Sequence, residues 1–212
     1  MSYLFAYLQN VFREAFERVG IIDDLVRHLK NDNVKLKENS ALAIFKCASS
    51  RETRTMVRRA GGLDPLCKLV QNDEVHANKR LLAAVTGGVW KCAISPENIM
   101  RFNQNDLVAS LVPLLEENED ERVLANVVGA LAECCKDPAN RDVLKTNEGL
   151  PKLVKTVQSQ EVLLSIVFFF LSLSPSLSLP PPPLSLVQIL FICVSNPSYL
   201  YIKIVGENAH IH

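Results

Sequence analysis

The chain has 212 residues, and 23 Lys and Arg balance 23 Asp and Glu, for a formal net charge of zero. That balance argues against a nucleic-acid binder, which carries a basic excess, and against a polybasic membrane-surface protein. A hydrophobic content of 48% excludes wholesale disorder, and the length suffices to bury a core.

From the amino terminus, Leu4, Phe5, Leu8, Val11 and Phe12 are spaced for one face of a helix. The stretch has no basic leader, and Arg13 and Glu14 interrupt its apolar run, so it does not read as a secretory signal. Residues 1–19 are expected to form a helix, the remnant of a structural unit that precedes the rest. With no export signal, a reducing compartment is expected.

A repeat occupies residues 20–159. Four segments align, beginning at Gly20, Gly61, Asp106 and Glu148, and in each the third, sixth, seventh and tenth places are apolar or nearly so. That spacing draws one apolar stripe along a helix. Pro65 and Pro151 fall in the first turn, where a missing N–H costs little. A second set lies 14 residues upstream of three of these starts and contains Cys47, Cys92 and Cys134. Thr53, Asn98 and Asn140 follow these cysteines by six places, and Val57, Phe102 and Leu144 by ten. The length variation falls before the cysteine, where a surface loop can absorb it.

Each unit therefore reads as three helices: in the best copy a short one near 96–104, a second near 107–117 and a longer third near 120–135. Pro96 and Pro138 mark the ends of third helices. One apolar face per unit is too small to bury alone, so stacked neighbours must supply the core.

The segments Gly20–Leu29 and Ala43–Ala48, with their later copies, resemble the armadillo-repeat family over residues 10–158. The resemblance implies an all-α, right-handed superhelical solenoid of about three units plus a half unit. The phrases Ala84–Cys92 and Asn126–Cys135 are most similar to axonemal members of the family. That likeness implies a non-catalytic scaffold in the cytoplasm and ciliary axoneme that attaches outer dynein arms to doublet microtubules. Its implied partners are coiled-coil docking-complex subunits and dynein arm or microtubule components, without nucleic acid and with no membrane association expected. A catenin-type cytosolic or junctional adaptor is the alternative, and a membrane-anchored armadillo protein using the tail is a third reading.

In this family the third helices line a groove that binds extended peptides or partner helices. Carried over position by position, the groove residues are Asn39, Leu42 and Lys46, then Ala84, Gly87 and Lys91, then Asn126, Gly129 and Glu133. Nuclear import receptors of the family place tryptophans where this chain has Leu42, Gly87 and Gly129. They place asparagines where it has Lys46, Lys91 and Glu133. A basic cargo would meet lysines in place of stacked indoles, which disfavours nuclear-localisation signals. Trp90, one place off that ladder, reads as core, and Gly87 and Gly88 as close helix packing or open groove.

No catalytic, cofactor or metal site is expected. No C-x-x-C occurs, the adjacent Cys134 and Cys135 have the wrong spacing for zinc, and His28, His76, His210 and His212 are scattered. The repeated cysteines read as small buried hydrophobes.

From Val162 to Ile202 the chain has no charged residue, and residues 168–186 are all Phe, Leu, Ser or Pro. Codons beginning with two pyrimidines encode these four residues, as a translated intron tract would. Residues 160–212 are expected to be an unstructured, aberrant tail on a truncated form of a longer scaffold. The apolar run Val162–Leu173 is too short to span a bilayer, which takes about 20 residues.

Overall fold

The computed structural model describes residues 19–116 and 119–158. The expected helix at 1–19 and the tail at 160–212 lie outside them, apart from the first residue described, Val19. Among the described residues every regular element is helical. In chain order these are α1 (Ile21–His28), α2 (Val34–Cys47), α3 (Arg51–Arg59), α4 (Leu63–Val70), α5 (Asp73–Ala77) and α6 (Lys79–Ala93). They continue with α7 (Pro96–Gln104), α8 (Leu107–Leu111), α9 (Glu121–Cys134), α10 (Pro138–Thr146) and α11 (Gly149–Gln158). The third helices of successive units, α2, α6 and α9, pack side by side, α6 against both of the others.

The four repeat starts share one backbone state. Gly20, Gly61, Asp106 and Glu148 all have positive φ, at 71°, 71°, 51° and 56°. Each ends a turn that carries the chain into the second helix of its unit. After α3 the amide of Gly62 donates to Val57 O (2.8 Å) and that of Gly61 to Arg58 O (3.0 Å). This is the paired closure by which a left-handed residue satisfies the last carbonyls of a helix. Glycine occupies that conformation without strain, whereas Asp and especially Glu pay for a Cβ.

Side-chain caps start the helices. Asn33 accepts from Leu36 N, Ser50 from Thr53 N, Asn78 from Leu81 N and Asp120 from Arg122 N. Pro96 and Pro138 open α7 and α10 at their first turn, a few residues beyond the third helices they follow.

The repeat offsets acquire physical roles. Val57, Phe102 and Leu144 are fully buried anchors. Asn98 and Asn140 each donate through Nδ2 to the carbonyl of the cysteine six residues earlier, Cys92 and Cys134, both at 2.9 Å. The side chain thus closes the end of one helix from the start of the next. Thr53, in the same place, pairs with Ser50. Arg54 reaches the end of α2 as well, donating to Ala48 O (3.1 Å) and Ser49 O (2.9 Å), and crosses to Ser95 Oγ of the next unit (2.7 Å).

Two elements differ from expectation. The second helix near 107–117 is shorter: α8 ends at Leu111 and a 3₁₀ turn covers Val112–Leu114. Pro113 has no N–H to give Ala109, and its ring crowds that carbonyl, so the α-helix cannot continue. The extra residues of the longest unit are not a loop. They form α5, which buries Val75 and is tied down by His76 Nε2 at 2.7 Å from Val70 O.

Candidate groove on the third helices

The third helices begin alike but end in different surroundings. On α2, Asn39, Leu42 and Lys46 fall at i, i+3 and i+7 and form one exposed stripe, with Leu42 42% exposed. On α6 every residue from Leu81 to Ala93 is buried. Ala84, Gly87 and Lys91 therefore lie inside the molecule, Lys91 at 4% exposure. On α9, Asn126 and Gly129 are buried and Glu133 is half-buried.

The glycines explain why α6 and α9 approach their neighbours so closely. A Cβ built on Gly87 would stand 2.7 Å from the Phe45 ring, and one on Gly129 would stand 2.3 Å from the Trp90 ring. Phe45 and Trp90 occupy the same repeat place, two before the cysteine. The glycines occupy the same place five before the next cysteine. Each ring of one unit thus fills the space that the missing side chain leaves in the next. Gly87 serves close packing, and Trp90, 3% exposed, is core. Gly88 faces the other way, with nothing nearer than Leu66 at 3.5 Å. The aromatic–glycine pairing across units is a feature that the groove assignment from sequence did not include. Its trace in the sequence is an aromatic two places before one cysteine and a glycine five places before the next.

The lysines sit directly above these rings. Lys46 Nζ is 5.3 Å from the Phe45 centroid and Lys91 Nζ is 5.1 Å from that of Trp90, within the range of attraction to a ring face. Burial pushes the Lys91 ammonium down to about 8; Arg54 and Lys46 push the same way, and Glu133 opposes them. Burial also lowers Arg54. Glu133 pairs with Lys136 at 2.5 Å. Asn126 donates through Nδ2 to Ala83 O (2.8 Å) and to Thr86 Oγ1 (3.4 Å), so it stitches α9 to α6.

Further links bind the units along other faces. Asp64 accepts from Arg101 Nε at 2.6 Å, which with a second bond to the same guanidinium holds its carboxyl below the usual range. Arg51 meets Glu97 at 3.0 Å, and Lys79 meets Glu119 at 2.8 Å.

Burial raises the cysteine thiols, Cys67 and Cys92 to about 12 and Cys135 to about 11, and it raises Cys134 as well. Thiols held this high are poor nucleophiles at neutral pH and pack as apolar groups. Among the described residues no group of His, Cys, Asp and Glu could hold a metal ion, and no helix is long and apolar enough to cross a membrane.

Stacked three-helix units closed by left-handed turns give this chain the armadillo-repeat fold. Solved structures share that fold. A designed armadillo repeat protein superposes with a TM-score of 0.65 at 21% identity, covering 93% of this chain and 79% of that one. A second, designed and in complex with the peptide (KR)4, gives 0.64 at 20% identity over 92% and 80%.

In sequence the chain is similar to outer dynein arm-docking complex subunit 2 of Bos taurus, with 44% identity over 106 residues. It is also similar to the armadillo repeat-containing protein gudu of Drosophila melanogaster, with 41% identity over 106 residues. Each match covers 50% of this chain, but only 10% of the bovine protein and 16% of the fly protein. No family model matches the chain.

Proposed function

We propose that this chain is a non-catalytic scaffold segment that docks protein partners in the assembly attaching outer dynein arms to ciliary doublet microtubules. The observation that carries the reading is the 44% identity with a protein named for outer dynein arm docking. An armadillo solenoid suits the task, because its stacked units offer an extended surface rather than a closed pocket. The implied partners are coiled-coil docking-complex subunits and dynein arm or microtubule components, and the implied place is the axoneme. Asn39, Leu42 and Lys46 are the groove residues exposed to a partner. Gly87, Lys91, Asn126 and Gly129 shape the wall behind them, and Glu133 lies at its edge.

The test is capture of docking-complex subunits from an axonemal extract by the full 212-residue chain, read with antibodies to each subunit. The exposed-stripe variant Asn39→Asp/Leu42→Glu serves as control. Capture by the parent and loss with the variant is the expected result. No subunit captured by a chain that circular dichroism shows to be folded overturns the reading. The match to gudu, whose name records only its repeats, favours the alternative of a generic catenin-like adaptor; capture of junctional rather than axonemal proteins would point there.

A further inference from the structure

We infer that this chain pairs with a second copy of itself through an apolar seam between its first helices α7 and α10, with Met100 as the anchor. The seam shares no residue with the stripe on α2, so the inference goes beyond the docking reading and does not rest on it.

The repeat makes the seam visible. From the unit of α3 to that of α7 the join is polar: Arg51 meets Glu97 at 3.0 Å, and Arg101 meets Asp64 at 2.6 Å. Each place recurs one unit later with different chemistry. Pro96 stands where Arg51 does, four after the cysteine, and Ala139 where Glu97 does, five after. Ala109 stands where Asp64 does, three after the repeat start, and Val143 where Arg101 does, nine after the cysteine. The two pairs of places that are ionic at one join therefore hold proline with alanine and alanine with valine at the next. Asn103 of α7 ties this second join, donating through Nδ2 to Asp137 at the start of α10 (3.1 Å).

The seam is open to solvent. Met100 is 71% exposed and Val143 36%, and Pro96 and Ala139 are exposed as well. Pro96 and Met100 lie one turn apart on α7, as Ala139 and Val143 do on α10, so each helix presents a short apolar row. Ile94, just before α7, adds another large apolar side chain exposed at 36%. Single exposed apolar side chains are ordinary, whereas a group of them marks an interaction surface.

The chemistry selects a second copy. The charges beside the seam are engaged within the chain: Glu97 and Arg101 as above, Asp142 with Lys145 at 3.2 Å and Lys136 with Glu133 at 2.5 Å. With those charges engaged, the seam selects its occupant by apolar contact. The seam is itself such a surface, and it is complementary to itself. It carries a long, adaptable thioether beside residues as small as Pro96 and Ala139, so a two-fold axis sets each Met100 against the other copy's alanine. The formal net charge of zero leaves no long-range repulsion between copies. A stable interface buries roughly 800 Å² per partner, more than these few side chains supply, so the dimer is weak and dissociates on dilution.

The experiment is sedimentation equilibrium of the full chain from micromolar to sub-millimolar concentration. A monomer–dimer equilibrium that stops at the dimer is expected, because a two-fold contact closes on itself. Met100→Glu is expected to weaken it at least tenfold, and Ala139→Glu likewise. Met100→Leu, which keeps an apolar side chain, and Thr55→Glu, at the place of Met100 one unit earlier, are expected to leave it within twofold. A chain that stays monomeric throughout overturns the inference, as does association that passes beyond the dimer. Association left unchanged by Met100→Glu and Ala139→Glu, or weakened equally by Thr55→Glu, overturns it too. Met100 and Ala139 are both exposed, so either variant keeps the test informative if circular dichroism shows the other misfolded. Capture of docking subunits is read separately, so either reading can fail while the other stands.

Discussion

The helices α2 and α6 occupy the same place in successive units, and their surroundings differ completely. Both carry the aromatic, lysine and cysteine run, Phe45-Lys46-Cys47 and Trp90-Lys91-Cys92. In α2 that run borders an exposed stripe; in α6 it is enclosed from Leu81 to Ala93. The same lysine is a solvated surface cation in one unit and a buried one in the next. A helix flanked on both sides by its own kind, as α6 is, loses more surface than one flanked on a single side among the described residues, so burial follows position in the stack as much as local pattern.

The largest effects should come from the enclosed helices. Leu131→Ala on α9, where the side chain is 1% exposed, is expected to cost about 2–5 kcal/mol in chemical denaturation, while Leu42→Ala on α2 costs under about 0.5. Similar losses at the two sites would break the comparison.

The buried lysine comes next. Lys91 has a lower pKa folded than unfolded, so the unfolded state binds more protons between about 8 and 10.5. Stability should therefore rise with pH across that window, and below it the folded chain bears the full cost of the buried charge. Lys91→Met is expected to stabilise the protein by about 1–3 kcal/mol at pH 7 and to flatten the rise, as stability measured from pH 7 to 10.5 will show. An unchanged slope would mean that Lys91 is solvated in solution.

The ring–glycine joints yield a contrast of sign. Gly129→Ala places a methyl against the Trp90 ring and is expected to destabilise by about 1–2 kcal/mol. Gly88→Ala meets only ordinary contacts and should stabilise by up to about 1 kcal/mol, the helix preference for alanine. Thermal melts of the two variants moving in the same direction would sink the joint.

The smallest expected change is at a repeat start. Glu148 holds a left-handed backbone that Gly20 and Gly61 hold without strain, so Glu148→Gly should gain roughly 0.5–1 kcal/mol. Glu148→Ala, which keeps the Cβ, should gain nothing.

Much of the architecture was legible before any coordinates. The offsets of six and ten residues after each repeated cysteine pointed to constant roles, and the structure supplies them as carbonyl closure by Asn98 and Asn140 and as the anchors Val57, Phe102 and Leu144. The positive-φ turns coincide with the aligned starts because each unit must reverse direction there. Pro113 was visible as well, but its shortening of α8 depends on where in the helix the lost hydrogen bond falls.

The groove was less legible. The resemblance implied Asn39, Leu42 and Lys46 as groove residues together with their counterparts in later units, carried over position by position along the third helices. Whether they meet solvent depends on residues a whole unit away, and no local pattern contains that information. Gly87 and Phe45 are 42 places apart in the chain, and so nearly are Gly129 and Trp90, at 39. By itself the sequence determined the repeat and its helices, because these follow from local periodicity and residue type. Only the tertiary structure decided which of the candidate groove residues are exposed and which are buried, because stacking sets which side chains lose their water.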